Sequence, residues 1–251
     1  MRTKSYKDYK LTLKLSAFDP RQKYFCLPIT AKVEEPKDID LSDRFPYVFD
    51  QGNLGSCVFN AVSMNGAYMH QRLRGGEFPT FSRLFAYYNY RKENNCVLRD
   101  TGADAASAFK GMRKYGICNE TLCPYDISKF AQEPSKEAYI EALDFQVLNF
   151  YRISDNSTYM IRAALSMELP VPIGVAIYKS FYDAKDGVIP MPKKGDVLYG
   201  YHEMLVVGCK DKVFTVLNSW DGEWGRNGRC FIAEDVLKKL IVEANVLKEI
   251  E

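Results

Sequence analysis

The sequence is poor in histidine and tryptophan, with two residues of each among 251. It has no apolar run of about 18 residues, the length that a membrane-spanning helix needs. Its basic residues are scattered and its net charge is +2, so neither nucleic acid nor a membrane is expected as a partner. No secretory signal is recognisable. This predicts an intracellular protein, or one of a secreted or lysosome-like compartment if a leader has been removed.

The sequence also lacks the usual motifs for cofactors and metals. There is no P-loop and no Gly-x-Gly-x-x-Gly after a predicted strand, which argues against a nucleotide-binding protein. Seven cysteines are an odd number, and we expect most of them to be reduced thiols. Cys118 and Cys123 have no second cysteine pair to complete a zinc site. We therefore expect no metal and no cofactor.

The apolar pattern changes along the chain. Helices are predicted over residues 57–72, 82–92 and 104–115, the last ending at Gly116. Short apolar runs broken by turn residues predict strands at 171–177, 203–209, 213–218 and 229–232. Helices thus dominate the first half and strands the second. The predicted fold class is α+β, with an N-terminal extension at 1–36, a helical lobe at 37–140 and a β-rich lobe at 141–251.

The two histidines differ in their suitability as a general base. His70 lies on the same predicted helix as Cys57, and at 1.5 Å per residue the two would be roughly 20 Å apart. His202 is then the candidate partner of the thiol. Cys57 stands at the predicted start of its helix, where the partial positive charge favours a thiolate. These residues fit nucleophilic catalysis by cysteine.

Three segments carry a family resemblance: Gln51 followed by Gly55-Ser56-Cys57, His202 followed by an apolar strand, and Asn218-Ser219-Trp220 with Trp224-Gly225 and Asn227-Gly228. Together they resemble the papain-like cysteine peptidases, whose cysteine is separated widely from its histidine and asparagine. Three positions depart from the family pattern. Leu54 stands where a cysteine is usual, Val58 where an aromatic residue is usual, and Glu203 where a small apolar residue is common.

The resemblance implies a two-lobed papain-like fold with an active-site cleft between the lobes. Cys57 would attack the peptide carbonyl, His202 would transfer the proton and Asn218 would orient the imidazole. Gln51 and the Cys57 backbone N–H would stabilise the oxyanion. Polypeptides would be the substrates, and a monomer is expected.

The resemblance also implies a substrate-binding surface that involves six residues: Gly102, Ala103, Gly174, Glu203, Trp220 and Trp224. Gly102 and Ala103 would offer backbone hydrogen bonds to an extended peptide. Trp220 would shield the bond between His202 and Asn218, and Trp224 would line the leaving-group side. We hypothesise that Glu203 biases the main specificity pocket toward basic side chains.

Several alternatives remain open at this point. The extension has an alternating run at 11–15 and an apolar run at 24–28, and it could either pack on the body or cross the cleft and keep the enzyme latent as a zymogen. The enzyme could be an endopeptidase, an exopeptidase or a peptidase for one partner protein. The alternative from another class is a catalytically silent binding module on the same scaffold.

Overall fold

The structure is a computed structural model, which describes residues 8–27 and 36–251. Pro28, at the end of the second predicted run of the extension, lies outside the described residues. The three predicted helices are present as α1 (Cys57–Arg74), α2 (Arg83–Glu93) and α3 (Ala105–Tyr115). Three shorter helices were not predicted: α4 (Lys136–Ala142), α5 (Thr158–Ser166) and α6 (Glu234–Leu240).

The strands of the described residues form one antiparallel sheet. Their bounds are β1 (Ile39–Asp40), β2 (Val147–Arg152), β3 (Val171–Tyr178), β4 (Leu198–Lys210), β5 (Val213–Leu217), β6 (Arg229–Ala233) and β7 (Ile241–Ile250). Their order across the sheet is β2-β7-β3-β4-β5-β6, with β1 also paired to β4. Strand β4 begins before the predicted position because residues 198–201 extend its pairing with β3.

Helix α1 is the central helix of the molecule. Every residue from Cys57 to Met69 is buried, and the helix packs on α2, α3, β4 and β7. A helix covered on all sides needs mostly small or apolar residues around its whole circumference, as this one has apart from Asn60 and Asn65. It ends where Gly75 adopts a φ of 77°, and the Gly75 N–H donates to the Gln71 carbonyl at 2.8 Å. Because α1 is fixed on both sides, its first residue is held firmly in place.

The N-terminal extension lies along the body as an extended arm. Thr12 forms a parallel bridge with Tyr201 on β4, and Leu13 forms one with Ala103 just before α3. Farther along, Tyr24 bridges Arg152 at the end of β2. The predicted strand at 11–15 is therefore two isolated bridges, which cross from one segment of the body to another. The division of the body at residue 140 stays a prediction, and β1 from the first part pairs with β4 from the second.

Candidate active site

His202 is fixed by the loop that follows β5. Its Nε2–H donates to Asn218 Oδ1 at 2.7 Å, and both residues are buried. Since a carbonyl oxygen can only accept, this bond places the proton on Nε2 and leaves Nδ1 with a lone pair. Within the described residues Nδ1 has no hydrogen-bond partner. The ring therefore presents one unoccupied basic nitrogen inside the site.

Aromatic side chains exclude water from this pair. The Trp220 ring lies 4.9 Å from the His202 ring and is fully buried. Tyr182 stacks on Trp220 at 5.8 Å, and Phe181 stacks on Trp224 at 6.0 Å. The cover explains why burial lowers the pKa of His202 to about 4, while its hydrogen bond to Asn218 acts in the opposite direction.

Cys57 is the first residue of α1 and is fully buried. Burial raises the pKa of its thiol to about 12, and the nearby Glu203 carboxyl adds to the rise. Backbone hydrogen bonds involving Glu203, Val58 and Thr12 lower the pKa but do not outweigh burial. In the ranges that the structure covers, no hydrogen bond joins the thiol to His202 Nδ1. Burial thus favours the neutral form of the thiol while the arm is in place.

Gln51 is positioned by Ser219, the residue after Asn218. The Gln51 N–H donates to the Ser219 carbonyl at 2.9 Å, and the Ser219 hydroxyl donates to Gln51 Oε1 at 2.8 Å. These bonds orient the side-chain amide, whose Nε2–H donates to the carbonyls of Leu54 and Lys10. The Lys10 carbonyl belongs to the arm and lies 3.2 Å from Nε2. The arm therefore occupies the donor that the sequence assigned to the oxyanion.

The arm contacts the predicted substrate strand through its backbone. The Lys14 N–H donates to the Ala103 carbonyl at 2.8 Å, and the Leu13 N–H donates to the Tyr201 carbonyl at 3.2 Å. Gly102 has a φ of 66°, and a Cβ at this position would lie 1.9 Å from the Thr12 carbonyl oxygen. Only a glycine allows this close approach.

Two aspartates of the body bind the part of the arm that precedes Thr12. Tyr9 OH donates to Asp50 Oδ1 at 2.8 Å, and the Tyr9 ring lies 5.6 Å from the Trp220 ring. Lys10 Nζ lies 2.6 Å from Asp100 Oδ2. Asp100 also accepts from the Gly55 N–H at 3.0 Å and from Tyr87 OH at 2.6 Å, so it connects the arm to the turn before Cys57.

Gly174 and Glu203 lie opposite each other on β3 and β4, below the arm. The Leu13 side chain covers Gly174, with Cδ2 2.6 Å from where a Cβ of Gly174 would stand. Glu203 is 1% exposed, and burial together with Glu243 raises its pKa well above the ordinary value. The sequence-predicted residues of the substrate surface are therefore mostly covered by the arm.

Some residues of the site were missed by the sequence analysis. Ser219 was recognised only as part of a motif, and Asp100, two residues before Gly102, was not singled out. Tyr182, Glu243 and the arm residues Tyr9 and Lys10 carry no motif, because their contacts join segments remote in sequence. His70, which was set aside as too distant, bonds through Nδ1 to the backbone carbonyl of Glu251 at 2.7 Å, away from this site.

The described residues contain neither a cluster of metal ligands nor a membrane-spanning helix. In residues 8–27 and 36–251, no three His, Cys, Asp or Glu side chains are grouped as metal ligands would be. Over the same ranges, no helix combines the length and the apolar composition needed to cross a bilayer.

Comparison with known proteins gave a consistent result. Residues 35–249 match the family model described as "Papain family cysteine protease". An uncharacterized peptidase C1-like protein, L477 of Acanthamoeba polyphaga mimivirus, is 37% identical over 193 residues, 71% of this chain. The match covers 61% of that relative, so the chain spans less than two thirds of its length.

Two solved structures share the fold. Xylellain, a cysteine protease from Xylella fastidiosa, aligns over 100% of both chains with a TM-score of 0.88 and 26% identity. Procathepsin B S9 from Trypanosoma congolense aligns over 96% of this chain and 87% of its own, with a TM-score of 0.74 and 13% identity. At that identity the second likeness shows the fold alone. The predicted papain-like α+β fold is confirmed, and the chain belongs to the papain family of cysteine proteases.

Proposed function

We propose that the chain is a cysteine peptidase that hydrolyses peptide bonds through a Cys57 thiolate, a His202 imidazolium and an acyl-enzyme intermediate. The observation that carries the proposal is the state of His202. Asn218 holds Nε2 at 2.7 Å, and the other ring nitrogen is buried without a partner in the part of the chain that the structure describes. Because no hydrogen-bond donor occupies this buried basic nitrogen, it can accept a proton from the thiol at the start of α1.

The proposed reaction begins with proton transfer from Cys57 to His202 Nδ1. The thiolate attacks the carbonyl carbon, and the oxyanion accepts hydrogen bonds from Gln51 Nε2–H and the Cys57 N–H. His202 then donates its proton to the leaving amine as the C–N bond breaks. A water molecule, deprotonated by the same imidazole, attacks the thioester and releases the acid with regeneration of the thiol. Asn218 keeps the ring oriented throughout, and Trp220 keeps water from the bond between them.

We also propose that the arm keeps the enzyme latent. With the arm bound, burial holds the thiol pKa at about 12 and the imidazole pKa at about 4, so the uncharged pair is favoured. The Lys10 carbonyl occupies the Gln51 donor. When the arm leaves, water enters, the cost of charging both groups falls, and the imidazolium and thiolate stabilise each other.

The course of the arm supports an endopeptidase. The arm passes from Tyr9 beside Trp220, across Thr12, to Asp19 beside Lys110 on α3. A cleft that accommodates a chain continuing beyond the site in both directions can accept the interior of a polypeptide. Gly102 and Ala103, which contact the arm backbone, would bind substrate backbone in its place.

Covalent labelling by an epoxide inhibitor of thiol proteases tests the proposal. We expect labelling at Cys57, measured by mass spectrometry of the digested protein, and its loss in Cys57→Ala. His202→Ala should slow both labelling and peptide hydrolysis by about 1000-fold or more. His70→Ala is the matched control, since its bond to Glu251 lies outside the site, and it should retain the activity of the parent. A folded parent that is neither labelled nor active, even with the arm loosened, would instead indicate a silent binding module.

A further inference from the structure

Both donors that we assign to the oxyanion lie on one short stretch of chain. Gln51 supplies its Nε2–H and Cys57 its backbone N–H, and we call residues 50–57 the donor segment. An oxyanion donor acts only when it lies about 2.7–3.1 Å from the oxygen on which charge develops. Two donors can meet this condition at one oxygen only if the segment between them keeps its shape. The contacts that hold the donor segment therefore matter for the proposed reaction.

Arg83 is a buried cation next to the donor segment. It is the first residue of α2, and its side chain is 7% exposed. Glu120 accepts from Nη2 at 2.9 Å and from Nε at 3.3 Å. The centres of the Phe49 and Tyr125 rings lie 3.9 and 3.7 Å from the Arg83 Cζ atom. These contacts fix the plane of the guanidinium and leave Nη1 for other acceptors.

The Nη1 atom of Arg83 contacts the first residue of the donor segment and a side chain of α1. It donates to the Asp50 carbonyl at 3.2 Å and to Asn60 Oδ1 at 2.9 Å. Because a guanidinium can only donate, the Asn60 amide must turn its oxygen toward Arg83 and its nitrogen toward Ser56. Asn60 Nδ2 then donates to the Ser56 carbonyl at 2.9 Å and to Ser56 Oγ at 3.1 Å. The guanidinium is thus bonded to Asp50 directly and linked to Ser56 through the Asn60 amide.

Tyr125, which packs on the guanidinium, bonds to the same segment at two places. Its OH donates to the Gln51 carbonyl at 2.9 Å. A phenol has one proton to donate, so the Ser56 hydroxyl must donate to the Tyr125 oxygen, which lies 2.5 Å away. Arg83 and its neighbours therefore bond to residues beside both oxyanion donors, at the start and at the end of the donor segment.

We propose that Arg83 is a positioning residue for the peptidase reaction, since it holds the donor segment in the shape that directs both donors at one oxygen. The proposal rests on the proposed peptidase function and adds a residue to it. A cation at the start of a helix opposes the helix dipole, and an apolar side chain often replaces a buried ion pair without loss of stability. The bonds of Arg83 to Asp50 and Asn60 are the contacts that an apolar side chain could not make.

The first experiment compares two reactions of Cys57 in the full chain. Peptide hydrolysis passes through an oxyanion, whereas alkylation by iodoacetamide forms a sulfur–carbon bond, releases iodide and passes through none. Both reactions require the arm to leave the cleft, so the ratio of kcat/KM to the alkylation rate constant cancels the opening of the arm. Arg83→Met should lower this ratio about 10- to 100-fold, which is less than the loss of a donor costs because the donors are displaced rather than removed.

Arg162→Met is the matched control. Arg162 lies on α5, is 7% exposed and donates to the Pro36 carbonyl at 3.0 Å, so this variant also removes a buried guanidinium. Helix α5 packs on β3, β4 and α6. The ratio should stay within about twofold of the parent, and thermal melting checks that both variants fold. A ratio that falls equally in the two variants would assign the effect to general loss of stability and overturn the proposal.

The second experiment needs no turnover. Amide hydrogen exchange reports the order of the donor segment through the Gln51 N–H, which bonds to the Ser219 carbonyl at 2.9 Å, and through the Ser56 N–H, which bonds within the segment. Arg83→Met should accelerate the exchange of both amides by about tenfold, and Arg162→Met should leave it near the parent value.

The outcomes separate this proposal from the peptidase function. An unchanged ratio and unchanged exchange in Arg83→Met would overturn the role of Arg83 and leave the peptidase intact. If the parent is alkylated at Cys57 but cleaves no peptide, the peptidase proposal fails and exchange alone decides. Faster exchange in Arg83→Met would then support the hold of Arg83 on the donor segment, and exchange equal to that of the parent would overturn it.

Discussion

Two segments of the same arm are held in different ways. Residues 9–16 lie over Cys57 and are bound largely by side chains of the body, including Asp50, Asp100 and Gln51. Residues 23–25 pair by backbone with the end of β2: the Phe25 N–H donates to the Arg152 carbonyl, and the Arg152 N–H donates to the Lys23 carbonyl, each at 2.9 Å. The first segment is held mainly by polar and charged side chains of the body, whereas the second adds to a sheet edge through its backbone and buries the Phe25 side chain.

The difference suggests a division of labour. If the arm keeps the enzyme latent as proposed, residues 9–16, the cleft segment, would control access to Cys57, and residues 23–25 would tether them close by. A tethered segment returns to its site with a high effective concentration, so weakening the tether alone should open the cleft only a little. Weakening the cleft segment should open it strongly. The following predictions test this comparison by Cys57 labelling rates or by exchange, in the full chain.

The largest effect is expected from a third carboxylate placed beside Glu203 and Glu243. Leu13→Asp places an unpaired charge beside Glu203 and Glu243, and a buried uncompensated charge costs several kcal/mol. The arm should leave the cleft, and Cys57 labelling should accelerate by about 100-fold. Phe25→Asp makes the same chemical change at a buried position of the tether and should accelerate labelling by less than about tenfold. Equal acceleration in the two variants would contradict the division of labour.

The next effect comes from the bond between Lys10 and Asp100. Lys10→Met removes the ammonium group that lies 2.6 Å from Asp100, whose side chain is 13% exposed. Hydrogen bonds to charged groups contribute about 1.5–3 kcal/mol, discounted here because the Lys10 side chain is 40% exposed. We expect labelling to rise about five- to tenfold, with a smaller difference at high salt.

Lys14→Met is the matched control for this variant. The Lys14 side chain is exposed, while its backbone N–H makes the bond to Ala103 that the substitution preserves. Labelling should stay within about twofold of the parent. A similar gain in both variants would mean that general loss of positive charge, rather than the Asp100 contact, loosens the arm.

The same contrast shows what could be predicted from the sequence. Helix α1 was predicted because its ends are marked by Cys57 after Gly55-Ser56 and by Gly75-Gly76, which are local signals. Local sequence was also enough to single out three residues of the site. Asn218 and Trp220 share one motif, and His202 precedes an apolar strand. The structure brings these three into contact, with Gln51 joined through Ser219, and their catalytic roles stay predictions.

Features that depend on the order of strands could not be predicted in this way. Glu243 lies beside Gly174 only because β7 is inserted between β2 and β3, so that Gly174 has a glutamate on each side. Nothing local to Glu243 distinguishes it from an exposed glutamate. The course of the arm was likewise undecided, because the alternation at 11–15 indicates an extended segment but not its partner. Its partner segments, at Ala103 and Tyr201, are remote in sequence.

The pH dependence of exchange protection should also differ between residues 9–16 and residues 23–25. For the Asp100 carboxyl, burial raises the pKa, but hydrogen bonds from Lys10, Tyr87 and the Gly55 N–H together lower it below its ordinary value. A lowered pKa means that the stabilisation is complete above the unfolded pKa of about 3.9 and is lost as pH falls through the folded value. Exchange protection of the Leu13 and Lys14 amides, corrected for intrinsic rates, should therefore fall below about pH 4.

Asp100→Asn isolates this contribution. The variant should show weaker protection of Leu13 and Lys14 near neutrality and a smaller decrease in acid, because the group that titrates is gone. The Phe25 amide, which bonds to Arg152, should change little between the parent and the variant. An acid response of the cleft segment that is identical in the two proteins would assign the response to other carboxyl groups.

The smallest effect is expected from the ion pair of Asp19 and Lys110, since Asp19 lies in the part of the arm between residues 9–16 and 23–25. The Nζ and Oδ2 atoms lie 2.9 Å apart, but the Lys110 side chain is 47% exposed, and Arg21 also pairs with Asp19. These two cations hold the pKa of Asp19 well below its usual range. Water and salt screen such a pair, so Lys110→Met should change Cys57 labelling by less than about twofold. A larger acceleration would mean that the contact with α3, rather than the contacts in the cleft, is the main interaction that keeps the arm bound. The contrast between residues 9–16 and 23–25 would then no longer explain the proposed latency.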